Sequence, residues 1–412
     1  MENKSKGKAV ERIYALLDER SFVEIGQAVT ARSTDFQLDK VETPSDGVVT
    51  GYGLINGCPV YVYSQDVQVL GGSIGEMHAR KIVNLYDLAI KTGVPVIGMI
   101  DCAGIRLQES TDALHAFGMI YKKQAEASGV ILQISAIFGN CGGGLSVFPT
   151  LTDFTLMEEN GQLFVNAPNA IEGNRKEVLN SASAVFQSKE AGTVDFVGNE
   201  TEVFEEIRKL TQIFPSNYKD QSKVIDCVDD LNRLCENISA GNGKEILIQI
   251  ADQNEFLELK KDYGNDMAIG FIRLDGETIG CITNKEERIS AQGAKKAASF
   301  VKLCDAFGIG ILTVTDTVGF VAEIEQEKEL SQAIGAMTGA FVQATVPKVN
   351  VISKKAFGSA YVSMNSKSIG ADFVYAWSDA KIGMMEADMA VKIMYPGANA
   401  DVLKEKAKEY EE

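Results

Sequence analysis

The sequence predicts an α/β protein written as one unit twice, each copy carrying a mainly parallel sheet crossed by helices. Three recurrences predict it. The segment Gly51-Tyr-Gly-Leu-Ile-Asn-Gly57 returns as Gly270-Phe-Ile-Arg-Leu-Asp-Gly276, with both outer glycines 219 positions on (270 − 51 and 276 − 57). An apolar strand closing on aspartate and glycine, Val96-Ile-Gly-Met-Ile-Asp101-Cys-Ala-Gly104, returns as Ile311-Leu-Thr-Val-Thr-Asp316-Thr-Val-Gly319, 215 positions on (316 − 101). The third block, Ile134-Ser-Ala-Ile-Phe-Gly139-Asn-Cys-Gly-Gly-Gly144, matches Asn350-Val-Ile-Ser-Lys354-Lys-Ala-Phe-Gly358-Ser359-Ala360; both read as a strand entering a turn of small residues.

Each element follows in order. Asn56-Gly57 and Asp275-Gly276 are hairpin dipeptides between β-forming residues, so a strand stands on either side of each. Helices come next: Lys81 to Lys91 stops at Gly93, and Lys296 to Asp305 stops near Gly308, both with apolar residues at helical spacing. Strand, helix, strand, helix in each copy implies right-handed crossovers. Residues of about 199 to 245 read as a charged linker, apart from an amphipathic stretch at Val203 to Ile213 and Phe214-Pro215. The expected domains are therefore 1–220 and 221–412. The Lys- and Glu-rich tail from Ala398 reads as a solvated helix.

Composition removes several function classes. A chain of 412 residues has room for two to four domains at ~100 to 200 residues each. Its formal net charge of −17 repels phosphate backbones and anionic lipid, which argues against nucleic-acid and membrane-surface partners. No apolar run approaches the ~18 to 20 residues of a spanning helix, and Met1-Glu2-Asn3-Lys4 opens no signal-peptide core, so a cytoplasmic location is expected. Seven cysteines form no CxxC pair, which suggests neither a disulfide framework nor a zinc ribbon. With only His78 and His115 available, a histidine triad or a multi-histidine metal centre has little material, and no metal is expected. Neither histidine has a partner pattern around it, and both read as structural.

In a parallel sheet, small-molecule sites gather at the carboxyl ends of strands, where 101–104, 142–144, 316–319 and 358–360 should lie and converge. A turn of Gly and Ala leaves main-chain N–H groups uncovered, and two such donors aimed at one oxygen make an oxyanion hole. The plainer use of these glycines is close packing of helix on sheet; duplication at one register favours the donor role. Gly71-Gly72-Ser73-Ile74-Gly75 could cradle a phosphate with Arg80 and Lys81 following, or be a plain turn before solvated charges. Glu76 suits the helix dipole. Arg106, Gln108 and Glu109 border the Asp101 turn, and Lys354-Lys355 is a candidate contact for an anionic group.

In this order the motifs resemble the carboxyltransferase subunits of biotin-dependent acyl-CoA carboxylases and decarboxylases, over nearly the whole chain. The resemblance rests on Gly7-Lys8-Ala-Val-Glu-Arg12-Ile13, Leu17-Asp18-Glu-Arg-Ser21-Phe22-Val-Glu24 and Gly71-Gly-Ser-Ile-Gly-Glu-Met-His-Ala-Arg-Lys-Ile82. Asp101-Cys-Ala-Gly-Ile-Arg106-Leu-Gln-Glu109 and Gly139-Asn-Cys-Gly-Gly-Gly144 complete the first half. Asp316-Thr-Val-Gly-Phe320, Gln326-Glu327, Ala344-Thr-Val-Pro-Lys348, Lys354-Lys-Ala-Phe-Gly-Ser-Ala-Tyr361 and Gly370-Ala-Asp-Phe-Val-Tyr-Ala-Trp377 carry the second.

The resemblance implies two tandem ClpP/crotonase-like superdomains. Acyl-CoA would lie against the first half of one subunit and biotin against the second half of a partner, in a ring of six. Carboxybiotin would release CO2, the biotin enolate would take the α-proton of the thioester, and the thioester enolate would capture the CO2. Gly143 and Gly144 would form one hole, and Gly358, Ser359 and Ala360 the other. The implied binding residues are Gly71, Gly72, Arg80, Lys81, Gly104, Arg106, Phe320, Lys354 and Val362, the last lining the acyl pocket. The chain has no Ala-Met-Lys-Met-like biotinylation string, so biotin should arrive on a separate carrier protein, with a biotin carboxylase as a further implied partner.

The sequence also departs from the family pattern. Thr317-Val318-Gly319 stands where Pro-Gly is common after the aspartate, Ala322-Glu323-Ile324 replaces Pro-Gly-Thr, and Gly358-Ser359 replaces Gly-Gly. Phe357, Ser378 and Met337 replace Tyr, Pro and Lys. The chain ends soon after Ile393-Met394-Tyr395-Pro396, so the family's closing segment is expected to be absent. Carboxylation and decarboxylation would use the same holes. Two other functions stay open here: a biotin-independent crotonase-type hydratase or thioesterase, with Glu109 or Glu323 activating water, and a non-catalytic scaffold.

Overall fold

The computed structural model describes residues 7–33, 36, 38–221, 224–236 and 238–411. It consists of two units, 1–222 and 223–412. In the first, α1 (Lys8–Leu16) and β1 (Val23–Ile25) precede the hairpin β2 (Val48–Ile55) and β3 (Cys58–Gln65). There follow α2 (Glu76–Thr92), β4 (Val96–Cys102), α3 (Ser110–Ala127), β5 (Gln133–Gly142) and α4 (Val147–Thr150). β6 (Phe154–Glu158), β7 (Gln162–Phe164), α5 (Ala184–Lys189), β8 (Phe196–Gly198) and α6 (Glu200–Ile213) complete the unit. The sheet order is β1-β2-β3-β4-β5-β6-β8, with β7 also pairing β5. Pairing is antiparallel through β3 and parallel beyond it.

Local chemistry explains the boundaries. Asn56 (φ 49) and Gly57 (φ 78) give the hairpin two successive left-handed residues, which matches the twist of the flanking strands. The Asp18 carboxylate accepts both turn N–H groups, at 2.9 and 2.8 Å. α2 stops at left-handed Gly93, whose N–H returns to the Ala89 carbonyl. Its apolar stripe, Ile82, Leu85, Tyr86 and Ala89, is buried in the core that also holds Val96 and Ile100 of β4 and Phe117 and Ile120 of α3. Each large side chain so buried stabilises the unit by about 1.5 to 3 kcal/mol.

The second unit repeats this plan. α7 (Gly243–Ile250) and β9 (Leu257–Leu259) precede the hairpin β10 (Met267–Leu274) and β11 (Glu277–Asn284). β12 (Arg288–Ile289), α8 (Ala291–Ala306), β13 (Ile311–Thr317), β14 (Gly319–Phe320), α9 (Ile324–Gln343) and β15 (Lys348–Phe357) follow. α10 (Gly358–Ser363), β16 (Phe373–Ala376), β17 (Lys381–Gly383), α11 (Ala387–Met394) and α12 (Ala400–Glu411) end it. The sheet order is β16-β15-β13-β11-β10-β9, with β17 also pairing β15. Asp275 (φ 52) and Gly276 (φ 79) repeat the hairpin turn, and Asp252 takes the part of Asp18, accepting their N–H groups at 3.2 and 2.8 Å.

Two sequence expectations change. The linker expected from residue 199 begins later, because α6 is a packed element of the first unit. A capping box between Asn199 and Glu202 opens it, and Val203, Phe204, Ile207 and Leu210 are buried along one stripe. The tail helix α12 is not wholly solvated either: Ala407 is buried and Leu403 packs against a cluster with Val391 of α11.

Candidate active site

Both units place the same turn at the carboxyl end of the same strand. β5 runs into a tight 3-10 turn at Gly143–Ser146, and β15 runs into α10 at Gly358. Gly143 has φ 62 and Gly358 has φ 60, 215 positions on (358 − 143). Just before each turn the strand that enters it carries extra residues relative to its neighbour. The register shifts between Ile100 and Cys102, where Cys102 pairs with Cys141, and again between Thr315 and Thr317, where Thr317 pairs with Ala356. A left-handed residue at this point costs an L side chain about 1 to 2 kcal/mol, which explains glycine at both positions. The N–H groups of a first helical turn have no partners inside the helix, so each turn presents main-chain donors.

The turns differ in what surrounds them. Both Gly144 and its equivalent Ser359 are exposed, but a Cβ at Gly144 would meet Phe117 and the Tyr121 hydroxyl at 3.2 Å. The first turn has its carbonyls held from behind. Ser146 donates to the Gly143 carbonyl at 2.7 Å, Tyr121 donates to that of Gly144, and the Cys141 thiol lies 3.5 Å from that of Leu145. Near the second turn, Ala360 is buried, Val362 is 38% exposed and Phe320 of β14 is half-buried. Lys354 reaches the Ala240 carbonyl at 3.4 Å, and Lys355 pairs with Glu287 at 2.9 Å and Glu386 at 3.3 Å.

Two of the expected ligand contacts turn inward. Arg106 is buried, donating to Asp46 at 2.5 Å, Glu109 at 2.8 Å and the Ser73 carbonyl at 2.7 Å. Glu109 also accepts the Glu76 N–H at 2.6 Å, so the cluster ties the glycine loop at 71–75 to the loop after β4. With its carboxylate enclosed there, Glu109 is not placed to activate water. Lys81 is buried too, donating to the carbonyls of Ser45 at 3.0 Å and Val48 at 2.5 Å, and burial lowers its pKa to about 8. Its repeat Lys296 (296 − 81 = 215) donates to the carbonyls of Lys260, Tyr263 and Met267 at 2.7, 2.8 and 2.9 Å. A lysine that closes the loop before each hairpin is structural, and the recurrence was the available sign of it. Gly72 is equally packed, since a Cβ there would meet the Asp101 carbonyl at 2.5 Å, and one at Gly71 would meet Ala103 at 3.2 Å. Gly104, with φ 107, has open space around it.

His78 is buried as the sequence suggests. Its Nδ1 donates to the Asp46 carbonyl at 2.9 Å, and its Nε2 accepts from Gln65 at 3.2 Å. Burial first, and then the Arg106 charge, lower its pKa to about 3. The unfolded chain therefore binds a proton here that the fold refuses. The stabilisation is complete above about pH 6.5 and is lost as the pH falls towards 3. Unfolding free energy measured by urea titration should fall on acidification from pH 6.5 to 4, and His78→Gln should flatten that slope by about one proton. An unchanged slope in the variant would refute the assignment.

Arg80 does face open space. Between α2 and α3 lies a cleft of ≈ 330 Å³ in which the carboxylates of Glu76, Asp87 and Asp112 face Arg32 and Arg80, with Asn84, His115, Val83 and Met119 completing the walls. The Arg80 side chain is 60% exposed and pairs with Glu76 at 2.7 Å; Arg32 spans Glu76 at 2.7 Å and Asp112 at 2.5 Å. Sequence reasoning missed Arg32 and read His115 as structural, because three separated segments build this cleft and no local spacing announces it. Elsewhere, Cys227, Asp229 and Asp252 bring possible ligand atoms within 4.8 Å of one another. Asp252 already accepts from the hairpin turn and Asp229 from the Gln253 N–H at 2.6 Å, so this group ties loops together. Among the described residues, no helix is long and apolar enough to cross a membrane.

Comparison with known proteins gives the family. Residues 2–412 match the model of the carboxyl transferase domain. The propionyl-CoA carboxylase beta chain of Roseobacter denitrificans is 37% identical over 417 aligned residues, covering 97% of this chain and 82% of that protein. The methylmalonyl-CoA decarboxylase subunit alpha of Propionigenium modestum is 37% identical over 409, covering 95% and 79%. Among solved structures, the transcarboxylase 12S hexamer with methylmalonyl-coenzyme A and methylmalonic acid bound superposes with a TM-score of 0.93 at 32% identity, covering 98% of this chain and 82% of that one. The fold is thus the tandem crotonase-like architecture that the resemblance implies.

Proposed function

The chain belongs to the carboxyl transferase domain family and is a carboxyltransferase of the acyl-CoA carboxylase type; from that premise we propose that it moves a carboxyl group between carboxybiotin on a separate carrier and the α-carbon of a short-chain acyl-CoA. The observation that carries this reading is the pair of donor turns at Gly143 and Gly358, matched in φ, in sequence offset and in the register shift just before each turn. Carboxybiotin supplies the CO2 and, once decarboxylated, the base for the α-proton. The N–H groups of Gly143 and Gly144 receive the thioester oxygen as it gains enolate charge. Those at Gly358, Ser359 and Ala360 receive the ureido oxygen; exposed Ser359 leaves that turn open to a ligand brought by a carrier. Such donors act on charge that develops only in the transition state, and each is worth about 3 to 4 kcal/mol of barrier. Neither turn requires a protein acid or base, which agrees with a histidine held neutral in the core and a glutamate locked to arginine.

At the cleft, the phosphates of the CoA nucleotide would take Arg80 and Arg32 from their present partners Glu76 and Asp112, with Val83 and Met119 offering apolar surface beside them. Arg80→Ala should raise KM for acyl-CoA about tenfold at unchanged kcat, the signature of lost uniform binding. KM for the corresponding acyl-pantetheine, which lacks the nucleotide, should not move. Equal effects on both substrates would place the nucleotide elsewhere. Acyl-CoA on the first unit of one subunit and biotin on the second unit of a partner, within a ring of six served by a carrier protein and a biotin carboxylase, complete the proposal.

The direct test incubates the purified chain with carboxybiotinylated carrier and propionyl-CoA, then with methylmalonyl-CoA and biotinylated carrier. Carboxyl transfer in either direction supports the reading, and the faster direction assigns the chain as a carboxylase or decarboxylase component. Turnover of acyl-CoA without biotin, or no turnover with retained carrier binding, would overturn it in favour of a biotin-independent enzyme or a scaffold.

A further inference from the structure

We propose that Tyr121 is a positioning residue for the first donor turn, an inference that rests on reading that turn as the site of the thioester oxygen. Its hydroxyl donates to the Gly144 carbonyl, on the peptide unit whose N–H belongs to Leu145. The N–H polarised through that carbonyl is Leu145's, next to the two proposed donors and not one of them, so Tyr121 acts on those donors through geometry, while the Ser146 bond to the Gly143 carbonyl is the one that polarises the Gly144 N–H. The Tyr121 bond fixes the plane of its peptide and, with the Ser146 bond to Gly143 at 2.7 Å, the direction of the turn's donors.

The hydroxyl is itself held in place. The Tyr121 ring packs on Phe117 and Phe148 with centroids 5.1 and 5.6 Å away, and Phe117 and Phe148 stack on each other at 5.1 Å. Phe117 and Phe148 are buried, so the ring has a rigid bed. Burial also raises the Tyr121 pKa above its ordinary 10, which keeps the hydroxyl a donor throughout the neutral range.

The brace belongs to one unit only. The residues 215 positions after Phe117 and Tyr121 are Gln332 and Ala336, which carry no ring, and the second turn has Ser359 where the first has Gly144. A Cβ at Gly144 would meet both Phe117 and Tyr121 at 3.2 Å, so the aromatic brace and the bare glycine go together. The duplicated fold has thus been specialised: its first turn is held from behind, and its second carries a side chain facing solvent.

Tyr121→Phe keeps the ring and deletes only the hydroxyl. In the full chain, carboxyl transfer to propionyl-CoA should show kcat lowered about five- to tenfold with KM for the acyl-CoA within about twofold, the scale of one hydrogen bond. Amide hydrogen exchange across residues 143–147 should quicken while the thermal midpoint stays close to that of the wild type. Unchanged kcat, or kcat and KM moving together with a lowered midpoint, would overturn the role. A wild-type chain that transfers no carboxyl group would instead overturn the reading of the turn, and the role of Tyr121 with it.

Discussion

Gly143→Pro should lower kcat for carboxyl transfer by about 10² to 10³, the loss associated with removing one oxyanion donor. Two effects coincide. Proline has no N–H, and its ring fixes φ near −65°, whereas Gly143 sits at 62°. Gly143→Ala separates them, because it keeps the donor and adds only the strain of a left-handed residue, about 1 to 2 kcal/mol. A Cβ at this position meets nothing within 4 Å, so no clash complicates the comparison. Alanine should therefore lose less activity than proline, and Gly358→Pro should suppress transfer at the biotin side to a similar degree. Steady-state kinetics beside circular dichroism and a thermal midpoint read the outcome. Native turnover in a folded Gly143→Pro chain would remove the first donor turn from the mechanism.

These two glycines were legible because a backbone requirement leaves a one-residue signature, and duplication repeated it at a constant offset. The hairpin dipeptides and the glycine that stops α2 were legible for the same reason. Side-chain direction was not. Lys81 and Arg106 flank glycine-rich loops and look like phosphate contacts, yet each finds internal partners far off in sequence, Lys81 the carbonyls at 45 and 48 and Arg106 the carboxylate of Asp46. Arg12 likewise meets Asp101 at 3.2 Å across 89 positions. α6 was hidden differently: Glu200, Glu202, Glu205, Glu206, Arg208 and Lys209 mask a narrow apolar stripe, so a packed helix resembles a linker. The cleft at Arg32 needs α2, α3 and a loop together and has no linear form at all.

Arg106→Met should be the most damaging single change to the first unit, costing about 3 to 5 kcal/mol at neutral pH. The side chains of Arg106, Asp46 and Glu109 are all 0% exposed, so removing the cation strands two carboxylates away from water. Even with Arg106 present, burial outweighs its charge and holds the Asp46 carboxyl above its ordinary range. Without the arginine, the Asp46 carboxyl should hold its proton still more tightly in the folded than in the unfolded chain. The variant's stability then declines as pH rises above the ordinary carboxylate range, and its deficit against wild type should be larger at pH 8 than at pH 4.5. At ~2 to 4 °C per kcal/mol for a unit of this size, the thermal midpoint should drop by roughly 10 °C. Arg106→Lys should fall between, since an ammonium cannot present the planar fork that reaches Asp46, Glu109 and the Ser73 carbonyl together. A midpoint within a degree or two of wild type, or a deficit that does not change with pH, would show that the cluster is not what joins the glycine loop to the loop after β4.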